Sequence, residues 1–236
     1  MHYLGGKFRI AKNIGSVINN IPDIDGIWEP FCGACWITQQ LNHDIIYASD
    51  INNYLIEMYK ALQRGWTPPN IVTEDQYNKV KENPEKYMEC YVAFVGFGCS
   101  WSGKWFGGYA RDGTGRNYAL NAKNSLLKML PKIQRVNFQV VDYNQDYHSG
   151  MNNYIIYCDP PYAGTTQYDF ARNFDHEKFW NMNRAYSVNN IVIVSEYTAP
   201  EDFVEIASFA TRTDIRNANK DRIERLFVHQ TRQKFI

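Results

Sequence analysis

The stretch Asn153-Tyr154-Ile155-Ile156-Tyr157-Cys158-Asp159-Pro160-Pro161-Tyr162 decides how this chain is read. Tyr154 to Cys158 is rich in aromatic and β-branched residues, and this composition predicts a buried strand. Pro160 and Pro161 have no N–H to donate, so the sheet ladder stops there. Asp159 is thereby left at the carboxyl end of the strand, the end at which open α/β sheets bind their ligands. The prolines also stiffen the turn and leave the Pro160 carbonyl without a strand partner. Two acceptors on a rigid turn beside an aromatic ring suit a flat heterocycle with an exocyclic amine. Asp159 and the Pro160 carbonyl can accept the two amine hydrogens, and Tyr162 can stack on the ring. A proline turn after a core strand, with Asp159 as a cap, is the simpler meaning for these four residues taken alone.

The 236 residues fit one large domain, or one domain with a sizeable insertion. At 44% hydrophobic the chain can bury a real core. Its 17 Tyr, 13 Phe and 6 Trp suit both core packing and base stacking. Basic and acidic residues balance at 25 each, which argues against coating nucleic acid by bulk charge and leaves room for a local basic surface. The five cysteines are irregularly spaced, and the lone Cys32-Gly-Ala-Cys35 has no second pair to complete a zinc set. No metal is therefore expected. The N-terminal MHYLGGKFRI lacks the apolar core of a secretion signal, and no apolar run approaches the ~20 residues of a membrane span. A cytoplasmic protein with no membrane partner is the expectation.

Upstream, Tyr3-Leu4-Gly5-Gly6-Lys7 sets a cation beside two glycines, a close-approach site or a plain tight turn. A helix is predicted from Phe8 to Asn19, with Ile10, Ile14, Val17 and Ile18 on one face. Next, Ile27-Trp28 runs into Glu29-Pro30-Phe31-Cys32-Gly33-Ala34-Cys35, and a helix is predicted from Ala34 to Leu41. This reads as the first βα turn of a doubly wound sheet, without the GxGxxG or GxxxxGK[ST] phosphate patterns. A second strand ends in Asp50, about 20 residues on, where such folds place a carboxylate on ribose hydroxyls. Asp50 as N-cap of the helix predicted from Asn53 to Arg64 fits equally well.

From Thr67 to Lys132 the texture changes. Helices are predicted over Glu74–Lys86, Tyr87–Phe97 and Asn121–Lys132. Between them, residues 96–119 interleave Gly, Trp, Phe and Tyr with Lys104, Arg111 and Arg116. A long Gly-rich stretch in a compact domain is usually functional, and its aromatic content disfavours disorder. Lys104, Trp105, Arg111, Arg116 and Lys123 are the candidates for gripping phosphates and stacking on bases. A basic solvated face is the plain alternative for the last helix. The sheet then resumes with a strand from Val136 to Tyr143, whose Asp142-Tyr143 end can hold an adenine moiety, followed by the strand before Asp159. Residues 163–173 form a polar loop able to close over a base. After them come a helix to Tyr186, a buried strand at 190–195, a hairpin of Phe203–Ala210 with Arg225–Val228, and a charged loop at 212–222.

YLGGK, EPFCGA, YASDIN, the inserted segment and YCDPPY, in that order, resemble the Dam-type adenine-N6 DNA methyltransferases, including phage and restriction-associated members. EPFCGA resembles the motif with which methyltransferases hold S-adenosylmethionine, with Cys35 where the last glycine usually stands. The resemblance implies a Rossmann-like α/β methyltransferase fold with a mixed seven-stranded sheet. Residues 1–66 and 133–236 would form the catalytic domain, and 67–132 an inserted, mostly helical target-recognition domain. It implies a site-specific adenine methyltransferase acting on double-stranded DNA through a flipped base, as a monomer or weak dimer. Tyr3, Lys7, Glu29, Phe31, Gly33, Asp50, Asp142, Tyr143 and Asp159 would contact the cofactor, and Asp159, Pro160 and Tyr162 the target adenine. The arginine-and-asparagine run of GATC-specific members has no recognisable counterpart. Cytosine-N4 or RNA adenine methylation, or a non-catalytic DNA-binding relative, are the alternatives.

Overall fold

The computed structural model describes residues 6–143, 150–162, 174–211 and 222–236. A seven-stranded mixed sheet organises them, in the order β3-β2-β1-β4-β5-β7-β6. β1 (Gly26–Glu29), β2 (Ile46–Asp50), β3 (Asn137–Val140), β4 (Tyr154–Cys158) and β5 (Ile191–Glu196) run parallel. β6 (Phe203–Thr211) and β7 (Arg222–His229) form the expected hairpin, in which β7 pairs antiparallel with β5. This is the α/β class predicted from the strand before Asp159. The order turns back at β1, with β2 on one side and β4 on the other, which is the switch point where open sheets bind ligands.

β1, β4 and β5 are buried on both faces, and successive side chains alternate between two helical layers. Ile27, Ile155, Tyr157 and Ile193 pack with Ile14 and Ile18 of α1 (Ala11–Asn19). Trp28, Ile156, Cys158 and Val194 pack with Phe179 and Tyr186 of α6 (His176–Tyr186). Asp175 caps α6 by accepting the Lys178 N–H at 2.9 Å. α1 begins later than the periodicity predicts, because residues 8–10 are spent on a turn in which the Ile10 N–H donates to the Lys7 carbonyl.

Between α2 (Asn53–Gln63) and β3 lie α3 (Glu74–Glu82), α4 (Glu89–Ala93), a π-turn at Phe94–Gly98 and α5 (Tyr118–Ile133). α3 stops earlier than predicted, since Pro84 starts a separate short turn. Residues 67–132 pack on the sheet through one continuous core with α2. Leu55, Met58 and Tyr59 share it with Tyr77, Val80, Phe94, Phe97, Leu126 and Ile133. Residues 99–110 fold back as a packed loop. Ser100 and Tyr109 bridge antiparallel, the Tyr77 hydroxyl lies 2.8 Å from Ser100 Oγ, and Tyr109 donates to the Val72 carbonyl at 2.8 Å.

Candidate active site

The first βα turn differs from its predicted form. No helix starts at Ala34, and one 3-10 turn, Thr38–Gln40, stands in its place. Gly33 and Cys35 both take positive φ, 44° and 55°, so the chain cannot enter a right-handed helix between them. Cys35 occupies the backbone region that favours glycine, at the position where the resembling motif carries one. Two partners hold this turn. Asp50 Oδ2 accepts the Gly33 N–H at 3.0 Å, and the Tyr59 hydroxyl donates to the Gly33 carbonyl at 2.7 Å. Asp50 Oδ1 accepts the Asn52 N–H at 2.9 Å, while Asn52 itself caps α2. Asp50 is therefore not that helix's cap. It joins the ends of β1 and β2, and burial lifts its carboxyl above the usual range.

Adjacent strands β2, β1 and β4 each end in an acid, Asp50, Glu29 and Asp159. The three play different parts. Glu29 is 2% exposed and accepts a close hydrogen bond from the Thr38 hydroxyl, a buried strut beneath the turn. Burial pushes its carboxyl up to about 8. In the unfolded chain the same group releases its proton near 4.5. Between these values the folded chain holds the extra proton, so Glu29 stabilises the fold fully below about pH 4.5 and loses that contribution as pH rises to about 8. Glu29→Gln stays neutral throughout. Urea unfolding at pH 5 and 8.5 is expected to show the variant gaining on the parent chain by about 3 kcal/mol at the higher pH.

Asp159 lies just past β4, its side chain 20% exposed and 2.7 Å from the Lys7 ammonium. Burial raises its carboxyl, with Lys7 pulling the other way. Burial also works against the Lys7 charge, yet Asp159 and Glu224 together hold that ammonium above its ordinary pKa. Lys7 Nζ sits 4.5 Å from the Tyr162 ring centroid and 3.7 Å from Glu224. Glu224, on β7, accepts from the Tyr162 hydroxyl and, at 2.6 Å, from Ser195 Oγ. Tyr197 meets the Tyr162 ring edge-on at 4.8 Å. Pro160 is buried, and among the described residues its carbonyl accepts no hydrogen bond. Asp159, Pro160, Tyr162 and Lys7 thus meet at one place, the carboxyl edge of β4. Glu224 and Ser195 were not legible as members of this group, because β7 follows β4 by more than sixty residues and no local pattern marks a buried acid on an edge hairpin.

A family model described as D12 class N6 adenine-specific DNA methyltransferase matches residues 3–95 and 106–230. The chain belongs to that family. A DNA adenine methylase of Vibrio cholerae is 24% identical over 183 residues, which cover 69% of this chain and 64% of the relative. The type II methyltransferase M.FokI of Planomicrobium okeanokoites is 22% identical over 241 residues, covering 92% of this chain and 36% of the relative. The chain thus spans less than two thirds of these curated proteins. Among solved structures, TrmN from Thermus thermophilus matches with a TM-score of 0.44 and 11% identity, over 93% of this chain and 47% of that one.

The remaining expected residues of this D12 class chain fall in four groups. Phe31 and Asp142 are half-buried at the carboxyl edge, Phe31 with its ring 5.0 Å from Tyr143. Tyr143 lies in the core beside that edge. It is 2% exposed, wedged among Trp28, Phe31, Phe179 and Tyr186, and its hydroxyl donates to Asn183 at 2.6 Å. Tyr3, the loop at 163–173 and the charged loop after Thr211 lie outside the described residues. In the inserted segment Lys104, Arg111 and Arg116 are exposed. Arg111 pairs with Glu74 at 3.0 Å, Arg116 lies over the Tyr118 ring, and Lys123 donates to Asn70 at 2.8 Å. Trp105 is half-buried and packs on Tyr54, Phe97 and Phe106. Trp101 is the exposed ring, at 57%, on a turn whose Ser102 has φ 55°. The family match passes over residues 96–105, which contain both tryptophans.

Proposed function

We propose that this chain transfers a methyl group from S-adenosylmethionine to N6 of adenine in double-stranded DNA. The observation that carries the reading is Asp159-Pro160-Pro161-Tyr162 at the carboxyl end of β4, beside the switch point, in a chain of the D12 class family. The residues present fit the cofactor. Each Asp50 oxygen accepts one backbone N–H and keeps lone-pair capacity for a ribose hydroxyl. Asp50 and Asp159 lie on the strands flanking Phe31's turn, an anionic edge suited to a sulfonium. When bound there, the cofactor supplies an electrophilic methyl group.

The protein's own part is positioning. The N6 lone pair of adenine is delocalised into its ring, so the amine is a poor nucleophile. The Asp159 carboxylate and the Pro160 carbonyl accept its two hydrogens and turn the lone pair toward the methyl donor, an orientation effect worth several kcal/mol. Positive charge grows on N6 as the bond forms, the Asp159 carboxylate stabilises it, and the N6 proton facing that carboxylate then leaves to solvent. A stacked base cannot reach the end of β4, so it must leave the duplex, and Tyr162 stacking offsets part of that cost. We assign residues 67–132 to DNA recognition, with exposed Trp101, Lys104, Arg111 and Arg116 as its contact residues, and place the protein in the cytoplasm of a bacterial or phage-infected cell.

Incubation of unmethylated genomic DNA with labelled cofactor, followed by nucleoside analysis, tests the reading. Label in N6-methyladenine supports it, label in N4-methylcytosine moves the target to cytosine, and label confined to an RNA control moves it to RNA. The mechanism also sets a pH dependence. Asp159 must be ionised, and burial raises its pKa, so kcat/KM is expected to fall on the acid side with a limb above the ordinary aspartate value of about 3.9. Lys7→Met removes the cation that counters burial and is expected to move that limb to higher pH.

A further inference from the structure

Resting on the adenine reading, Lys7 stands out by its position. Its ammonium is a hydrogen-bond donor 2.7 Å from Asp159 and over the Tyr162 ring at 4.5 Å. Those are the two contacts that the target amine and purine need. Lys7 and the base therefore compete for one acceptor and one ring face. A buried ammonium that loses its carboxylate without finding another is strongly disfavoured. Glu224 stands 3.7 Å away, about an ångström beyond the length of a good charge-assisted hydrogen bond. It is 5% exposed and anchored by Ser195 at 2.6 Å, so the carboxylate stays where the lysine stem can swing to it. Its bond from the Tyr162 hydroxyl also fixes the ring that the base must stack on.

We propose that Lys7 fills the seat of the target amine, and that Glu224 is the positioning residue that receives the Lys7 ammonium when the base enters. Lys7 moves from Asp159 to Glu224, and Asp159 is released to the N6 hydrogens. No covalent bond changes in this exchange. Glu224 acts through Lys7 and need not touch the reacting atoms.

The test is a double-mutant cycle on the full chain, using single-turnover transfer of labelled methyl to unmethylated genomic DNA, with binding of S-adenosylhomocysteine followed by calorimetry. Glu224→Gln keeps an acceptor for Ser195 and Tyr162 and loses the charge. It is expected to slow transfer to adenine by about tenfold or more, with DNA KM and S-adenosylhomocysteine affinity within about threefold of the parent chain. In a Lys7→Met background no ammonium has to be received, so adding Glu224→Gln is expected to change the rate by less than about twofold. Equal losses in both backgrounds would make Glu224 a structural residue and overturn the proposal, as would an unchanged rate for Glu224→Gln alone. If Glu224→Gln loses S-adenosylhomocysteine binding, Glu224→Asp, which keeps the charge, decides: recovery of at least half the parent rate supports the proposal, and failure to recover overturns it. An unsubstituted chain that labels no adenine overturns the adenine reading and this proposal together, whereas labelled adenine with additive variants overturns the proposal alone.

Discussion

Asp159→Ala is expected to lower the single-turnover rate of methyl transfer to adenine by about 10³-fold, with cofactor affinity within about threefold of the parent chain. Removing one preorganised electrostatic partner of a reacting atom typically costs about 10²–10³ in rate, and Asp159 does two jobs, orienting the amine and stabilising its growing charge. The fold is expected to survive. Lys7 loses its 2.7 Å partner, but Glu224 remains 3.7 Å away to take the ammonium. The turn assigned to the cofactor in the proposed function is pinned by Asp50 and Tyr59, which do not depend on Asp159. Asp159→Asn keeps an acceptor oxygen for the amine and loses only the charge, so it is expected to be slowed less than Asp159→Ala. Calorimetry with S-adenosylhomocysteine beside the transfer assay separates the outcomes. A variant that binds normally and still transfers at the parent rate would take Asp159 out of the mechanism.

Gly96→Ala is expected to be strongly damaging although it lies outside the site. A Cβ at Gly96 would lie 2.5 Å from Cζ3 of Trp105 and 2.9 Å from the Phe106 ring. Neither ring can retreat easily, since Trp105 is held by Tyr54 and Phe97 and Phe106 lies against Tyr77. The Gly96 carbonyl also accepts from the Phe106 N–H at 2.9 Å and from Ser100 Oγ at 2.7 Å, so a backbone shift would break the contacts that tie the loop down. Overpacking of this kind costs about 1–3 kcal/mol, partly offset by alanine's better helix propensity. A lower urea midpoint with an unchanged slope is the expected result, together with weaker DNA binding and normal binding of S-adenosylhomocysteine. Gly96→Val should be worse. An unchanged midpoint for both would show that the aromatic cluster does not hold this loop in place.

Parts of the chain that depend on neighbours in sequence were legible from it. The run from Tyr154 to Cys158 is apolar enough to be a strand buried on both faces, and two prolines must end it. Asp175 begins a helix as a capping residue does. The first βα turn was not legible in full. Its residues permit a helix from Ala34, and the chain is prevented from forming one by positive φ at Gly33 and Cys35, with Gly33 held by Asp50 and Tyr59 from other elements. The tryptophans make the same point. Trp101 and Trp105 sit in similar local sequence, and their fates diverge because Gly96 leaves a space that one ring fills while the other stays in solvent.

The sequence by itself determined the strand, the turn and the order of motifs, since backbone hydrogen bonding and proline chemistry act over a few residues. Tertiary structure alone decided which acids do what. Glu29, Asp50, Asp159 and Glu224 are the same kind of group in the sequence. Burial under Thr38, a bond to Gly33, an ion pair with Lys7 and an anchor on Ser195 make them a buried strut, a turn clamp, the partner of Lys7 and a carboxylate within reach of Lys7. The physical reason is that a carboxylate's charge, partners and reach are set by what packs around it, and strands distant in the chain supply that packing.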